Sequence, residues 1–430
     1  MQIHLKTLGC RLNEAEIESW ASKFQEKGHK LIANPESADL LVINTCAVTQ
    51  EAVKKSRQII RRIHRNNPTA KLVVSGCYST LDKKNINELP GIDLVIDNSE
   101  KEKLVDISLR ELNVETMPSL STEPGETSLF KRGRNRAFIK IQDGCRHRCT
   151  FCIVTIARGE EHSRTINEII NEINKYHEQG IKEVILTGVH VGGYGSDINS
   201  SLYQLIKIVL DKTTIPRIRL ASVEPWDLHK KFFSLFSNKR LMPHIHLPLQ
   251  SGCDSVLKRM GRRCKTKDFK SIVQKARDEI SNFNITTDII VGFPGETEDE
   301  WQESLKFINE VGFSHIHIFT YSKRQGTKAS TLDNHVDNVT KKMRSKELHE
   351  LTKLMRKKIL NDEIDKECFV LWESRDDDSN WSGYTEHYLR VELKNSQENV
   401  ENTISKIKVA SISADSSHCI VELIQNQKNI

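Results

Sequence analysis

Apolar and polar positions alternate along the first part of the chain in a way that predicts strands and helices in turn. Short apolar runs such as ADLLVINTC and AKLVVSGC lie between longer amphipathic segments such as NEAEIESWASKFQEKG and EAVKKSRQIIRRIHR. Buried strands between amphipathic helices are typical of a parallel sheet with helices on both faces. We therefore predict an α/β domain over residues 1–125, built on an open parallel βαβ sheet.

The alternation restarts after a segment rich in Pro, Gly, Ser and Thr, MPSLSTEPGETSLFKRGRNR. Six strand-like runs follow, each beside a helical segment: FIKIQD, EVILTG, RIRLAS, HIHLPLQ, ITTDIIVGF and HIHIFTYS. Thr165 with Glu168, and Thr297 with Glu300, have the spacing of capping boxes at two helix starts. These units predict a partial (β/α)6 barrel over residues 131–361, whose working face lies at the carboxyl ends of its strands.

The pattern changes again in the last part of the chain. Stretches such as ECFVLWES, YTEHYLRVEL and SHCIVELI are rich in β-forming residues and lack helical periodicity. We predict a small β-barrel over residues 362–430.

Length and composition limit the class of protein. A chain of 430 residues exceeds what one hydrophobic core normally organises, which agrees with several domains. We expect a cytoplasmic protein without a membrane segment, because no apolar run could span a bilayer and the start MQIHLKTLGC lacks the regions of a signal peptide. Cytosolic thiols stay reduced, so clustered cysteines are expected to be metal ligands or redox groups. The net charge of +6 permits a nucleic-acid partner without requiring one.

Three cysteines crowd into the loop after the first barrel strand. Cys145, Cys149 and Cys152 have the spacing Cys-x-x-x-Cys-x-x-Cys in CRHRCTFC. Thiolates suit iron–sulfur clusters, and a cubane held by three cysteines leaves one iron open to another ligand. The alternative is a zinc site with His147 as fourth ligand, which needs an awkward loop because that residue lies between the cysteines.

Three further cysteines end successive strands of the first domain. Cys10, Cys46 and Cys77 close the runs KTLGC, VINTC and VVSGC. Ligand sites of open parallel sheets form beyond the carboxyl ends of the strands, so these thiols are expected to converge on a second cluster with an open iron. The alternative for each is a small buried hydrophobic residue, the common role of a lone cysteine.

Both cysteine groups lie in motifs that resemble those of the methylthiotransferase family of radical S-adenosylmethionine (SAM) enzymes, along nearly the whole chain. The matching stretches include TLGCRLNEAE, VINTCAVT, KIQDGC, CTFCIV, LTGVHVGGYG, HLPLQSG, DIIVGFPGET and YSKRQGT. Thr155 departs from the pattern, since many relatives have proline there. The stretches INTCAVTQEAVKKSRQIIRR and FTYSKRQGT are most similar to the branch that acts on threonylcarbamoyladenosine. Other branches act on isopentenyladenosine in tRNA or on an aspartate of a ribosomal protein.

The resemblance implies a reaction and its cofactors. The reaction is transfer of a methylthio group to carbon 2 of N6-threonylcarbamoyladenosine at tRNA position 37, with SAM and two 4Fe–4S clusters as cofactors. The cluster at Cys145, Cys149 and Cys152 reduces SAM to give a radical, and the cluster in the first domain presents the sulfur. The implied partners are the anticodon stem-loop of tRNA and an electron donor such as flavodoxin or ferredoxin, and we expect a monomer.

Candidate SAM contacts lie at the ends of the barrel strands. Glycines in TGVHVGGYG permit close approach of backbone to the ligand, a carboxylate after a strand suits the ribose hydroxyls, and an arginine suits a carboxylate or phosphate. The candidates are Gly188, Gly192, Gly193, Glu224, Gln250, Ser251 and Arg158.

Candidate tRNA contacts lie in two regions. A basic cluster enters the barrel beside the cysteine loop, and the C-terminal part resembles the small RNA-binding (TRAM-like) barrel of many methylthiotransferases. The candidates are Lys131, Arg132, Arg134 and Arg136 in the first region, and Arg390 with Trp381, Tyr384 and Tyr388 in the second. An alternative of another class is a non-catalytic iron–sulfur protein that binds RNA or carries electrons, which would need no cofactor pocket and no open iron.

Overall fold

The first part of the chain forms a five-stranded sheet in the order β2-β1-β3-β4-β5, and all its strand pairs are parallel. The computed structural model describes residues 1–112, 135–376 and 378–424. The strands of this sheet are β1 (Gln2–Thr7), β2 (Lys30–Leu31), β3 (Leu40–Thr45), β4 (Lys71–Gly76) and β5 (Leu94–Ile96). The helices are α1 (Arg11–Glu26), α2 (Gln50–Asn66), α3 (Cys77–Leu81), α4 (Lys83–Asn87) and α5 (Leu104–Glu111).

Helices cover both faces of this sheet, as predicted. Alternate residues of β3 point to opposite faces, so Val42 belongs to the same apolar cluster as Trp20 of α1. Ile43 belongs to the cluster on the other face, with Ile60 of α2. The strand order reverses between β1 and β3, and this switch point is where open parallel sheets bind their ligands.

The central part is the predicted partial barrel. Its strands are β6 (Arg136–Lys140), β7 (Gln142–Asp143), β8 (His162–Ser163), β9 (Glu183–Thr187), β10 (Arg217–Leu220), β11 (His244–His246), β12 (Asn284–Val291) and β13 (His315–Thr320). Strands β6, β9 and β10 form one parallel sheet, and β11, β12 and β13 form another. Backbone pairing between Ser222 and His246 joins the two, so the six strands form one open arc.

Helices lie between and after these strands along the chain. They are α6 (Val154–Arg158), α7 (Ile166–Glu178), α8 (Leu202–Lys212), α9 (Asp254–Met260), α10 (Thr266–Glu279), α11 (Glu298–Val311) and α12 (Asn338–Asn361). Both predicted capping boxes are present, at the starts of α7 and α11, and they satisfy backbone N–H groups that a helix start leaves unpaired. None of the described helices has the length and apolar character needed to cross a bilayer.

The C-terminal part is a closed five-stranded barrel, as predicted. Its strands are β14 (Glu367–Arg375), β15 (Trp381–Thr385), β16 (Arg390–Leu393), β17 (Ile404–Ile412) and β18 (Cys419–Leu423). Trp372 and Trp381 are buried in its core with Val370. The domain limits 1–125, 131–361 and 362–430 stay predictions. The boundary between the first two domains, at residues 125 and 131, falls outside the described residues.

A buried carboxylate, Glu183, helps to join the central and C-terminal barrels. Its Oε1 lies 3.0 Å from Arg219 Nε, and its side chain is 1% exposed. Arg219 also donates to the backbone carbonyls of Glu386 and Thr385 in the C-terminal barrel, at 2.9 and 2.8 Å. Arg217 donates in the same way to carbonyls of that barrel. Glu183 therefore neutralises the guanidinium groups that hold the two barrels together.

Replacement of this carboxylate by a neutral amide, Glu183→Gln, is expected to destabilise the protein by about 3–5 kcal/mol, because buried guanidinium groups lose their counter-charge. Chemical denaturation followed by circular dichroism measures the change. Asp211→Asn removes an exposed carboxylate, 72% exposed, and serves as the matched control. Equal stability of the two variants would contradict this role for Glu183.

Candidate active site

The cysteines at the strand ends of the N-terminal sheet converge at its switch point. Cys10 follows β1, Cys46 follows β3 and Cys77 begins α3 after β4. All three line one cavity. The backbone of Gly9 has φ +107°, and a side chain there would place its Cβ 2.7 Å from Cys46 Sγ. Glycine therefore permits the close approach of the loops that carry the first two thiols.

A buried ion network lies directly beneath these cysteines. Arg158 Nη1 lies 2.8 Å from Glu16 Oε1 and 3.0 Å from Asp143 Oδ1, and its Nη2 donates to Asn13 Oδ1 at 2.8 Å. Lys101 Nζ lies 2.6 Å from a carboxylate oxygen of both acids. The network joins α1 and Lys101 of the N-terminal domain to β7 and to α6. Arg158 also contributes positive potential at Cys10 and Cys77, since those thiolates interact with its charge.

The second cysteine group lies in the loop between β7 and α6. Three N–H groups point at its sulfur atoms: His147 N lies 3.4 Å from Cys145 Sγ, Val154 N lies 3.4 Å from Cys152 Sγ, and Arg262 Nη1 lies 3.8 Å from Cys149 Sγ. Donors of this kind stabilise negative charge on sulfur and tune the potential of iron–sulfur clusters.

Burial favours the protonated form of several of these thiols until a cation binds them. It raises the pKa of Cys46 to about 11, of Cys145 to about 12 and of Cys152 to about 11. Metal binding replaces the proton, because the thiolate is the form that ligates. Both groups therefore have the character of soft-metal ligand sets.

The zinc alternative with His147 is not supported by the structure. The ring of His147 is buried, with its Nε2 3.0 Å from His190 Nε2 and 3.4 Å from Trp226 Nε1. A tetrahedral zinc site also needs sulfur atoms about 3.8 Å apart. Among the described residues, three groups of potential ligand atoms lie within 4.8 Å of one another, and neither cysteine triad is one of them. The wider sulfur spacing fits a polynuclear cluster better than a single ion.

Thr155, the departure from the family pattern, stabilises this loop without touching a ligand. Its hydroxyl donates to the carbonyl of His147 at 2.9 Å. The loop is thus closed by a side-chain hydrogen bond at the position where many relatives have proline.

One cavity of about 970 Å³ lies between the N-terminal sheet, the barrel and the C-terminal barrel. The first cysteine triad lines it. Glu224 lines it as well, and Arg262 donates both to Glu224 Oε2, at 2.6 Å, and to Cys149 of the second triad. The first triad therefore lines the cavity directly, whereas the second is connected to its lining through Arg262 and Glu224.

The predicted SAM contacts divide into two sets. Gly188, Glu224, Gln250 and Arg158 line the cavity. Gly192, Gly193 and Ser251 are not among the residues that line it. A Cβ at Gly192 would lie 2.7 Å from that of Asp227, so this glycine is explained by close packing of two loops. The direct SAM contacts of all seven residues stay predictions.

The predicted tRNA contacts also stay predictions, and the structure describes only some of them. Lys131, Arg132 and Arg134 lie outside the described residues. The surroundings of Arg136 do not favour a phosphate contact. Its Nε lies 2.6 Å from Glu373, and its guanidinium stacks over Tyr384 at 4.7 Å. Arg390 lines the cavity, as do Tyr384 and Tyr388, whereas Trp381 is a core residue.

Several residues of the site were not singled out from the sequence. Arg262, Lys101 and Glu16 act through partners that are distant along the chain, and Arg11 reaches Tyr388 Oη of the C-terminal barrel at 3.0 Å. A basic or acidic residue in an amphipathic helix gives no local indication of such a contact.

A six-stranded partial barrel with a three-cysteine loop after its first strand defines a radical SAM enzyme. Residues 139–308 match the Radical SAM superfamily, and residues 2–97 match uncharacterized protein family UPF0004. The radical SAM methyltransferase TsrM from Kitasatospora setae, solved with cobalamin and a 4Fe–4S cluster, has a similar fold at TM-score 0.59 and 14% identity, covering 76% of this chain and 77% of that chain.

Relatives of similar length define the family further. The chain is 37% identical to the threonylcarbamoyladenosine tRNA methylthiotransferase MtaB of Thermotoga maritima, over 91% of each chain. It is 34% identical to MtaB of Bacillus subtilis, over 94% of this chain and 92% of that one. It is 32% identical to the tRNA-2-methylthio-N(6)-dimethylallyladenosine synthase of Staphylococcus haemolyticus, over 93% of this chain and 81% of that one. The chain belongs to the radical SAM methylthiotransferase family, whose cofactors are SAM and 4Fe–4S clusters.

Each cysteine triad is expected to hold one cluster independently. Cys46→Ala and Cys149→Ala should each lower the iron content of the reconstituted protein from about eight to about four atoms per chain. Iron analysis and electron paramagnetic resonance measure the loss. Cys368→Ser changes a buried cysteine in the core of the C-terminal barrel and should keep the full content. Loss of all iron in either single variant would show that the two sites are not independent.

The ion network beneath the first triad is expected to give a defined acid dependence of stability. Burial opposes ionisation of Glu16, but Arg158 and Lys101 more than offset it and lower the pKa of Glu16 to about 2. A lowered folded-state pKa contributes stability that is complete above about pH 4.5 and is lost as the pH falls toward 2. Glu16→Gln should therefore lower the thermal unfolding midpoint at pH 5–8 by a constant amount.

The difference between Glu16→Gln and the unchanged protein should shrink below about pH 4.5. Glu51→Gln, at an exposed position of α2, should show no such difference. A gap that widens in acid would refute the assigned charge state of Glu16.

Proposed function

We propose that this protein transfers a methylthio group to carbon 2 of N6-threonylcarbamoyladenosine at position 37 of tRNA, next to the anticodon. The observation that carries the proposal is the cavity that the first cysteine triad lines and that Glu224 and Arg262 connect to Cys149 of the second triad. A sulfur source and a radical source must reach one carbon atom, and this connection supports that proximity.

The cofactors and the chain divide the chemistry between them. SAM and the cluster at Cys145, Cys149 and Cys152 supply a carbon-centred radical, and the cluster at Cys10, Cys46 and Cys77 supplies the sulfur to be transferred. The chain orients both clusters through Arg158, which links the two loops. It also walls the reaction space with three structural units, which limits access of water to a reactive intermediate.

The choice of tRNA substrate is supported by the relatives. Proteins named as threonylcarbamoyladenosine tRNA methylthiotransferases are 34–37% identical to this chain, whereas those named as dimethylallyladenosine synthases are 30–32% identical. Modification of dimethylallyladenosine, which is isopentenyladenosine, is the second candidate because those relatives also cover most of the chain. A ribosomal aspartate is a further candidate from the family resemblance alone.

The remaining partners follow from the reaction. The proposal includes the anticodon stem-loop as the RNA element bound, a flavodoxin or ferredoxin as electron donor, a monomeric enzyme and a cytoplasmic location, where tRNA is modified. A non-catalytic iron–sulfur carrier is disfavoured, because such a protein needs no cavity of this size beside its clusters.

Expression in a bacterium that lacks methylthiotransferases is expected to produce 2-methylthio-N6-threonylcarbamoyladenosine in tRNA. Mass spectrometry of tRNA nucleosides measures it. Cys46→Ala should abolish the product because it removes a ligand of the first cluster, and Cys368→Ser should keep it.

Appearance of the methylthio derivative of isopentenyladenosine instead would overturn the substrate but keep the reaction class. If no new nucleoside formed while both clusters were present, the ribosomal protein and then the carrier hypothesis would be tested next.

A further inference from the structure

One wall of the cavity is unusually rich in nitrogen donors. It is formed by inward-pointing residues of strands β11, β12 and β13 together with α12. The residues that matter are His246, Asp288, His315, His317 and Arg356, all of which line the cavity. Cys10 lines the same cavity.

The charge of the described cavity lining is positive. Its two carboxylates are Glu224, which is paired with Arg262, and Asp288, which lies 3.2 Å from His246 Nε2. Arg356 and Arg390 form no ion pair with any described residue. Asp415 adds some negative potential near Arg356, but it is exposed and hydrogen-bonded to Ser413 and Ser417. The cavity thus holds guanidinium groups that lack an anionic partner in the part of the chain that the structure describes.

The contact between Arg356 and His315 determines which ring nitrogen of that imidazole carries the proton. Arg356 Nη2 donates to His315 Nδ1, and a guanidinium has no acceptor, so the ring proton of His315 lies on Nε2. Burial lowers the pKa of His315 to about 4, with further lowering by His317 and Arg356. His315 is therefore a neutral donor at physiological pH, held by the arginine beside it.

Strand β13 carries two imidazoles followed by an aromatic ring, an order that suits a base with a polar substituent. His315, His317 and Phe319 alternate along the strand and line the cavity, about 6.6 Å apart for each step of two residues. The ring of Phe319 is 43% exposed, and exposed aromatic rings in RNA-binding cavities stack on bases. The imidazole of His317 lies close to that of His315, with ring centroids 4.6 Å apart.

We propose that this face of β13 reads the substituent of the modified base, with Phe319 against the adenine ring and with Arg356, His315 and His317 binding the carboxylate of the threonylcarbamoyl group. The proposal rests on the function proposed above and names the residues that select its substrate. A planar guanidinium is suited to a carboxylate, and each charge-assisted hydrogen bond is strong when water is excluded. Asp288 is then an acceptor for the threonine hydroxyl.

The wall and the sulfur site are connected through Arg11. Arg11 follows Cys10 directly, and it donates to Tyr388 Oη at 3.0 Å. Its charge also lowers the pKa of His317, after the larger effects of burial and of His246. Arg11 therefore connects the first triad to the charged groups of the wall. This agrees with a base whose carbon 2 and N6 substituent lie along one edge of the ring.

The same wall disfavours a dimethylallyl substituent. That group is a hydrocarbon, and it would remove water from imidazole and guanidinium groups without offering them an acceptor. Buried donors left without partners cost free energy, so a site built for a polar substituent rejects its apolar analogue strongly.

Binding of three RNAs to the full chain with both clusters reconstituted tests the proposal. The probes are one anticodon stem-loop with threonylcarbamoyladenosine, dimethylallyladenosine or unmodified adenosine at position 37, and fluorescence anisotropy measures their affinities. The unchanged protein is expected to prefer the threonylcarbamoyl RNA over the unmodified RNA by about 10- to 100-fold. Arg356→Met should remove most of that preference, and so should His317→Asn, a smaller change on a side chain that faces the cavity.

Lys357→Met is the matched control, since this exposed neighbour of Arg356 on α12 does not line the cavity. It should keep the full preference. Iron content and circular dichroism establish that each variant is folded, and SAM affinity, measured by equilibrium dialysis, should be the same in all of them.

Four results would overturn the proposal. A preference for the threonylcarbamoyl RNA that survives in both wall variants would show that other residues read the substituent. Equal weakening for all three RNAs would assign Arg356 to phosphate, and weakened SAM binding would assign it to the carboxylate of SAM. Tighter binding of the dimethylallyl RNA by the unchanged protein would exclude a carboxylate site. Nucleoside analysis keeps the two proposals separate, because product formation by the unchanged protein tests the function without reference to the wall.

Discussion

The buried guanidinium of Arg158 is the interaction on which the arrangement of the site depends. It belongs to the helix that follows the second cysteine triad, and it pairs with Glu16 on the helix that follows the first cysteine. Asp143, at the end of β7, pairs with Arg158 and with Lys101, and Lys101 also pairs with Glu16. Removing these charges from water is costly, and close pairing with good hydrogen-bond geometry offsets that cost. Directional bonds of this kind fix how the N-terminal sheet faces the barrel, which apolar packing alone would define less sharply.

Much of the architecture was predictable because it depends on local pattern. The six barrel strands, both capping boxes and the C-terminal barrel follow from periodicity and from residue preferences at helix starts. The first cysteine triad was predictable for a different reason, since the topology of a parallel sheet places the ends of neighbouring strands together. In both cases a rule that applies within one structural unit was sufficient.

The contacts between units were not predictable from such rules. Arg158 and Glu16 are 142 positions apart, and Arg219 and its carbonyl partner Thr385 are 166 apart. Arg136 illustrates the limit: a basic cluster suggests phosphate, but the same planar cation also suits a carboxylate and an aromatic ring, and here it has both. Gly192 illustrates the same limit for packing. A glycine in the sequence indicates that another group approaches the backbone closely, but it does not identify that group as Asp227.

Tyr388 shows how the C-terminal barrel takes part in the site that the other two units form. Its backbone has φ +64°, a conformation that costs about 1–2 kcal/mol for a residue with a side chain. Contacts from the other two units offset that cost, since Arg11 donates to its hydroxyl and Arg219 stacks on its ring at 4.9 Å. The ring also lies against His244 in the cavity, with centroids 4.7 Å apart. A unit that resembles an RNA-binding barrel is therefore also a wall of the reaction space, so the position of this barrel and the shape of the cavity are set by the same contacts.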